Sequence, residues 1–160
     1  MNEGFRKKHW TPAECVAGLA GLVGDTPDLM RALRADRVDA MMREKILLAV
    51  TGVNDCRYCA RVHTSLADHA GVDEDTIDRI LEQNVEASVS DYERPALLFA
   101  RAYAAADGNP PMEEVEALRD AYDRETARDV QVFIRAIYVA NLSGNTLDLW
   151  LHRLGVDVPR

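Results

Sequence analysis

The sequence lacks the features of disulfide-rich, membrane-spanning and secreted proteins. It has three cysteines in 160 residues, an odd number that is too small for a disulfide framework. It has no apolar run close to the roughly 20 residues that cross a bilayer, which excludes a transmembrane helix. Its basic first ten residues are not followed by an apolar segment with a cleavage site, so we expect no secretory signal and a cytoplasmic location.

Positive charge is also scarce in this chain. Lysine and arginine number 19 against 27 aspartates and glutamates, which gives a formal net charge of −8. Nucleic-acid binding needs a basic stripe that neutralises phosphates, whereas these arginines are dispersed among acidic residues. We therefore expect neither a nucleic-acid nor a membrane partner. Glycine-rich phosphate-binding motifs are absent as well, so we expect no nucleotide cofactor.

The period-2 alternation that marks β-strands is missing, and apolar residues instead recur at helical spacing along nearly the whole chain. A chain of this length can bury a sizeable core, and no repeat or linker divides it. The sequence therefore predicts an all-α fold, a single-domain helical bundle that spans residues 1–160.

Capping residues and glycines predict where the first helices begin and end. Thr11 and Glu14 form a capping box for a first helix, which the glycines at 18, 21 and 24 are expected to loosen and end. A second, short helix is predicted to start at Thr26-Pro27.

The next two predicted helices carry the chemistry. They span about residues 37–51, ended by Gly52, and about 55–70, N-capped by Asn54 or Asp55. A further helix is predicted to start at Asp73, and another to follow a capping box at Ser90 and Glu93 and run from about Arg94 to Ala106. The next helix is predicted to reach about Tyr122. The last spans about 126–154, with Ser143-Gly144 as a candidate kink.

Two cysteines and a histidine share one face of the helix predicted over residues 55–70. At 100° per residue, Cys56, Cys59 and His63 fall within roughly 60° of one another on its apolar side. In the first turn of a helix, unpaired N–H groups and the helix dipole favour a thiolate. His63 lies one turn beyond Cys59 and can exchange a proton with its sulfur. The spacing therefore predicts a thiol, its base and a second thiol on one helix.

Glu44, on the preceding helix, is bracketed by Met41 and Leu48 on an apolar face. A short turn through Gly52 brings the two helices together antiparallel. A buried Glu44 can then orient His63, as a third group orients the base in other nucleophile systems. Lys45 falls within the same arc and is the alternative ion partner of Glu44.

Glu44, Cys56, Cys59 and His63 stand at the spacing Glu-x11-Cys-x2-Cys-x3-His. This pattern resembles the signature of the alkylhydroperoxidase D-like branch of the carboxymuconolactone decarboxylase family. The resemblance implies an all-helical thiol peroxidase or disulfide reductase that forms a trimer or hexamer. It implies a hydroperoxide substrate and an external dithiol or redoxin as electron donor.

The resemblance also implies a division of roles within the cysteine pair. Cys59 meets the peroxide, and Cys56 resolves the resulting sulfenic acid as a disulfide. From its place in the first turn we expect Cys56 to be the more exposed sulfur, and so the one that the external donor attacks. Tyr58 stands where the hydroperoxidase has a histidine, and with a pKa of about 10 a tyrosine is a poor base at neutral pH, so we regard it as auxiliary.

Three alternative functions remain open from the sequence. One is a non-catalytic oligomeric module with inert cysteines, since free cysteine often serves as a small apolar core residue. Another is a lactone decarboxylase-like activity, although that branch of the family lacks the cysteine pair. The third is structural zinc, bound by Cys56, Cys59, His63 and a fourth ligand from Cys15, His69 or Glu44. For Cys15 itself core packing is the preferred reading, and for His69 solvation.

Overall fold

The computed structural model describes residues 7–85 and 89–156, and within them it contains seven α-helices and no β-strand. The all-α prediction is confirmed. The helices are α1 Pro12–Ala35, α2 Ala40–Asn54, α3 Arg57–His69, α4 Glu74–Leu81, α5 Arg94–Ala105, α6 Met112–Ala121 and α7 Arg124–Arg153.

α1 differs from the two helices that the sequence predicts. It begins at the predicted capping box but continues through the glycines and through Pro27. A proline inside a helix removes one backbone donor, and here α1 packs against α7 over the same stretch. Asp25 accepts from Arg135, and Asp28 accepts two hydrogen bonds from Arg128. The prediction that the glycines end a first helix and that a second begins at Thr26-Pro27 is therefore wrong, because tertiary packing outweighs the local signals.

α2 begins later and ends later than the sequence predicts. Its N-cap is Asp39, and it runs through Gly52, which does not end it. A β-carbon at Gly52 would lie 2.6 Å from the backbone oxygen of Leu81, so the glycine serves the close packing of α4 against α2. Gly71, after α3, does adopt the left-handed conformation of a helix end, with a φ of 92°.

The later helices follow the prediction more closely. Asp73 caps α4 as expected. Ser90 and Glu93 exchange the hydrogen bonds of the predicted capping box, but α5 begins only after them, at Arg94. α7 is one continuous helix through Gly144, so no separate element begins there.

α2 is the centre of the bundle. Every residue from 44 to 51 is buried, and α2 contacts α3, α4, α5 and α7. α3 packs beside it through the short turn at Asp55, and α7 packs across both helices. Within residues 7–85 and 89–156, no helix is both long enough and apolar enough to span a membrane.

Candidate active site

The two cysteines meet at the start of α3. Cys56 is itself the N-cap residue, so the prediction of Asn54 or Asp55 as the cap is wrong; Asp55 instead ends α2 in a left-handed conformation. The Cys56 sulfur accepts the backbone N–H of Cys59 at 3.4 Å, and the two sulfurs are hydrogen-bonded at 2.7 Å. An N-cap side chain faces the unpaired N–H groups of the first turn directly, which brings the Cys56 sulfur to the positive end of the helix.

The burial of the pair is the reverse of the expected order. Cys56 is 1% exposed, whereas Cys59 is partly exposed. The cause lies on α7, where Gly144 packs against Cys56. The expectation that Cys56 is the more exposed sulfur is therefore wrong. It followed from the position of Cys56 in the first turn of α3, and it did not include the covering of that turn by α7.

The pKa values of the two thiols are shifted in opposite directions. The pKa of Cys56 is lowered to about 7, mainly by the hydrogen bond from Cys59 and, against the effect of burial, by backbone N–H groups and the charge of Lys7. The pKa of Cys59 is raised, mainly because its thiol hydrogen-bonds to Cys56, with burial and the charge of Cys56 acting in the same direction. A hydrogen bond from Asn141 opposes that rise. The pair therefore ionises first at Cys56, and Cys59 retains the shared proton.

Glu44 and His63 make the contact that the sequence predicts. The His63 Nδ1–H donates to the Glu44 carboxylate at 2.7 Å, and Glu44 is 5% exposed. Because Nδ1 makes this bond, Nε2 is the ring nitrogen that remains for proton transfer. Lys45, the alternative partner of Glu44, instead pairs with Glu93 at 2.8 Å, so that alternative is wrong.

One face of α7 completes the site, and the sequence reasoning missed it. The residues that face the cysteine pair and its surroundings are spaced by three or four along this helix, as one helical face requires. They are Asn141, Gly144, Asn145 and Asp148. The sequence did contain a signal for this face, because Asn141, Asn145 and Asp148 are polar residues that recur on one side of a largely apolar helix.

Buried amides tie this face of α7 to the end of α2. Asn54 donates from Nδ2 to Asn141 Oδ1 at 3.3 Å, and Asn141 donates from Nδ2 to Thr51 Oγ1 at 3.3 Å. Asn145 donates to the backbone oxygens of Asn54, at 2.7 Å, and of Lys8, at 2.9 Å. Buried polar groups are costly unless they are paired, so this network holds the helices in one register.

A group of paired charges lies near the start of α3, and among them the charge of Lys7 acts on the Cys56 sulfur. Lys7 Nζ lies 3.6 Å from Asp55 and 3.5 Å from Asp148. Arg57 pairs with Asp148, lies 5.0 Å from the centre of the Tyr58 ring and donates to its hydroxyl at 3.2 Å. Tyr58 thus lies between the two cysteines in the sequence, and its hydroxyl is held by Arg57.

The remaining candidates lie outside this cluster. Cys15 is on α1, which makes no contact with α3 in the described part of the chain. His69 is exposed, with Nδ1 3.0 Å from the backbone oxygen of Ser65, as expected for a solvated residue. Among residues 7–85 and 89–156, no group of three or more histidines, cysteines and acidic residues is arranged to hold a metal ion.

Comparison with known families gives a match over part of the chain. A sequence model of the carboxymuconolactone decarboxylase family matches residues 24–102. This segment contains Glu44, Cys56, Cys59 and His63, and it leaves α6 and α7 outside. A comparison with curated proteins found no match.

Proposed function

We propose that the chain is a thiol-dependent peroxidase or disulfide oxidoreductase. Its residues 24–102 match the carboxymuconolactone decarboxylase family, which includes alkylhydroperoxidase D-like proteins. The observation that carries the proposal is the cysteine pair, with its sulfurs 2.7 Å apart at a helix N-terminus. A thiolate at neutral pH and a second thiol in contact are what disulfide chemistry requires.

Cys59 is the attacking sulfur in this proposal, because it is the accessible one of the pair. The pair carries one proton, and its transfer from Cys59 to the Cys56 thiolate places the negative charge on the exposed sulfur. The Cys59 thiolate then attacks the terminal oxygen of a hydroperoxide, and the O–O bond breaks. Cys59 becomes a sulfenic acid, and the departing alkoxide takes a proton that His63 delivers from solvent.

Cys56 resolves the sulfenic acid. Its sulfur attacks the Cys59 sulfur, the S–O bond breaks, and the hydroxide leaves as water with the proton that Cys56 had received. One hydroperoxide is thereby reduced to an alcohol and water, and the two cysteines are oxidised to a disulfide. Glu44 holds Nδ1 of His63 throughout, which leaves Nε2 for the proton transfer.

An external dithiol or redoxin returns the two electrons in this cycle. We assign its attack to Cys59, since Cys56 is almost fully buried. Cys56 then leaves as the thiolate of lower pKa, and a thiol of lower pKa leaves faster. A cytoplasmic location is part of the proposal because a reducing compartment restores the thiols.

Stoichiometric peroxide tests the proposal. Peptide mapping after mild oxidation should show Cys56 bonded to Cys59, with Cys15 still a free thiol. The Cys56→Ser variant should consume one equivalent and leave a trappable sulfenic acid on Cys59, whereas Cys59→Ser should consume almost none. A sulfenic acid on Cys56 in the Cys59→Ser variant, at the wild-type rate, would exchange the two roles, and a Cys15 bridge as the main product would contradict the assignment.

The proposal includes a homo-oligomer, a trimer or hexamer by family resemblance. Large apolar side chains recur at heptad spacing along the outer face of α1, and all of them are exposed. Val16 is 69% and Val23 73% exposed. The set is Val16, Leu19, Val23, Met30 and Leu33. A contiguous apolar surface of this kind favours contact with a second copy of the chain.

A further inference from the structure

The carboxylate of Glu44 has two oxygens, and each has a partner of its own. Oε2 accepts the hydrogen bond of His63 Nδ1 at 2.7 Å, and Oε1 lies 3.7 Å from Nε of Arg43. The Glu44 side chain is only 7% exposed, so water contributes little to holding the second oxygen. Arg43 is therefore placed to influence how firmly Glu44 holds His63.

The approach of Arg43 to Glu44 does not follow from helical spacing. Adjacent residues on a helix point about 100° apart, and their side chains do not face each other. The guanidinium of Arg43 also lies over the ring of Phe133 on α7, 5.8 Å from its centre. Phe133 is 3% exposed and thus a fixed platform, and arginine stacks favourably on aromatic faces. The ring of Phe133 therefore keeps the guanidinium beside the carboxylate.

We propose that Arg43 is a positioning residue, whose guanidinium, seated over Phe133, holds Oε1 of Glu44 and thereby keeps Oε2 on Nδ1 of His63. The inference rests on the proposed function for its purpose, although the orientation of His63 can be measured without any substrate.

A second partner matters because a carboxylate rotates easily. The last torsion of a glutamate side chain is broad, so a single hydrogen bond leaves the group able to swing. A positive charge at Oε1 restricts this rotation, and a group that is already in place does not have to reorganise when the proton moves. Lys45, the neighbouring cation on α2, is paired with Glu93 and does not take this part.

Nitrogen-15 NMR of the histidine rings tests the inference in the reduced protein. The chemical shifts report which nitrogen of a neutral imidazole carries the proton, and the His63 signals are those that His63→Gln removes. In the wild-type protein the proton should lie mainly on Nδ1. Arg43→Met should lower the ratio of the Nδ1–H form to the Nε2–H form roughly tenfold, the effect of losing about one net hydrogen bond. Peroxide consumption should slow by a similar factor.

Arg43→Lys separates the charge of Arg43 from its packing. Methionine and lysine both have unbranched apolar stems, and lysine restores the positive charge. Arg43→Lys should therefore recover part of the ratio that Arg43→Met loses. If Arg43→Met does not fold, Arg43→Gln takes its place, since it also removes the charge.

Arg101→Met is the matched control. Arg101 is also a partly buried arginine, but it lies on α5 and donates to Gln83 Oε1 at 3.0 Å. Its loss should leave both the His63 ratio and the rate of peroxide consumption at the wild-type values.

Three outcomes would overturn the inference: an unchanged ratio in the uncharged Arg43 variant, an equal loss in Arg43→Lys, or an equal loss in Arg101→Met. Failure of the proposed function has a different signature. If the wild-type protein neither consumes peroxide nor reduces disulfides but the ratio still depends on Arg43, the function falls and the positioning of His63 stands. If peroxide is consumed and the ratio is unmoved, the function stands and the inference falls.

Discussion

Gly144 of α7 lies directly against Cys56, and a β-carbon added at Gly144 would be 3.0 Å from the Cys56 sulfur. This separation is too short for a relaxed carbon–sulfur contact. The absence of a side chain at Gly144 therefore allows α7 to cover the sulfur while leaving it in contact with Cys59.

The Gly144→Ala variant should disturb the cysteine pair more than the fold. Alanine in a helix interior gains about 1 kcal/mol over glycine, which offsets the strain of moving the sulfur by a few tenths of an ångström. We expect a nearly unchanged free energy of unfolding and slower formation of the disulfide, measured by urea denaturation and by thiol counting after peroxide.

Gly21→Ala is the matched control for Gly144. Gly21 is also inside a helix, but a β-carbon there would meet nothing within 4 Å. This variant should raise the free energy of unfolding by about 0.5–1 kcal/mol and leave disulfide formation at the wild-type rate. If disulfide formation in Gly144→Ala is as fast as in Gly21→Ala, the contact with Cys56 has no part in the chemistry.

The first thiolate should appear near pH 7. Because the pKa of Cys56 is lowered to about 7, thiolate absorbance in the wild-type protein should rise as the pH increases through this value and be lost below it. Cys59→Ala removes the main hydrogen bond that lowers this pKa, so its midpoint should move upward, toward the ordinary thiol value of 9.0.

Lys7→Met should raise the midpoint of Cys56 in the same direction, because the charge of Lys7 also lowers this pKa. Lys8→Met is the control: Lys8 bonds Asp107 and the backbone oxygens of Ala104 and Ala105, so its loss should leave the midpoint in place. An equal effect of the two substitutions would point to net charge and not to the position of Lys7.

Glu44→Gln should slow peroxide consumption by roughly 10²–10⁴-fold, the range typical of general acid–base assistance, and leave the fold intact. The amide no longer fixes the proton on Nδ1 of His63. His63→Ala should have a similar or larger effect, and the double variant should be scarcely slower than either single one, since the two residues act as a unit. Additive losses would contradict this.

Glu93→Gln provides the control for the loss of a partly buried, paired carboxylate. Glu93 is paired with Lys45, and Lys45 lies on α2 beside Glu44. Neither Glu93 nor Lys45 takes part in the proposed chemistry. Its variant should lower the free energy of unfolding by about 1–3 kcal/mol and keep the wild-type rate of peroxide consumption. A matching loss of rate would indicate that Glu44→Gln also acts through stability.

Charge on the outer face of α1 should dissociate the oligomer. We expect the wild-type protein to scatter light as a trimer or hexamer of 17.8 kDa chains and the Val16→Glu, Val23→Glu double variant to scatter as a smaller species. Both valines are exposed in the chain, so the fold should survive, as circular dichroism can check. A wild-type mass of 17.8 kDa at micromolar concentration would contradict the prediction.

Local signals predicted much of the helical organisation and failed where distant packing intervened. The capping box at Thr11 and the cap at Asp73 were correct because capping depends on residues three positions apart. The glycines of α1 and Gly52 were wrongly predicted to end helices, and Thr26-Pro27 was wrongly predicted to start one. Contacts of α1 with α7 and of α2 with α4 outweigh these local signals. The contact between Glu44 and His63 was predictable because a short turn constrains how two adjacent helices pack.

Local spacing was sufficient to place the site groups on the motif helices, because the helical period puts Cys56, Cys59 and His63 on one side of a short segment. Which of the two sulfurs is buried was settled by the packing of α7 against α3. The burial of Cys56 depends on Gly144, more than 80 positions further along the chain, and the charge of Lys7, far earlier in the chain, helps to lower the pKa of Cys56; no local pattern encodes either contact. Acidity and access are set by all the groups that surround a sulfur, and α7 reaches this pair only when the whole bundle is folded.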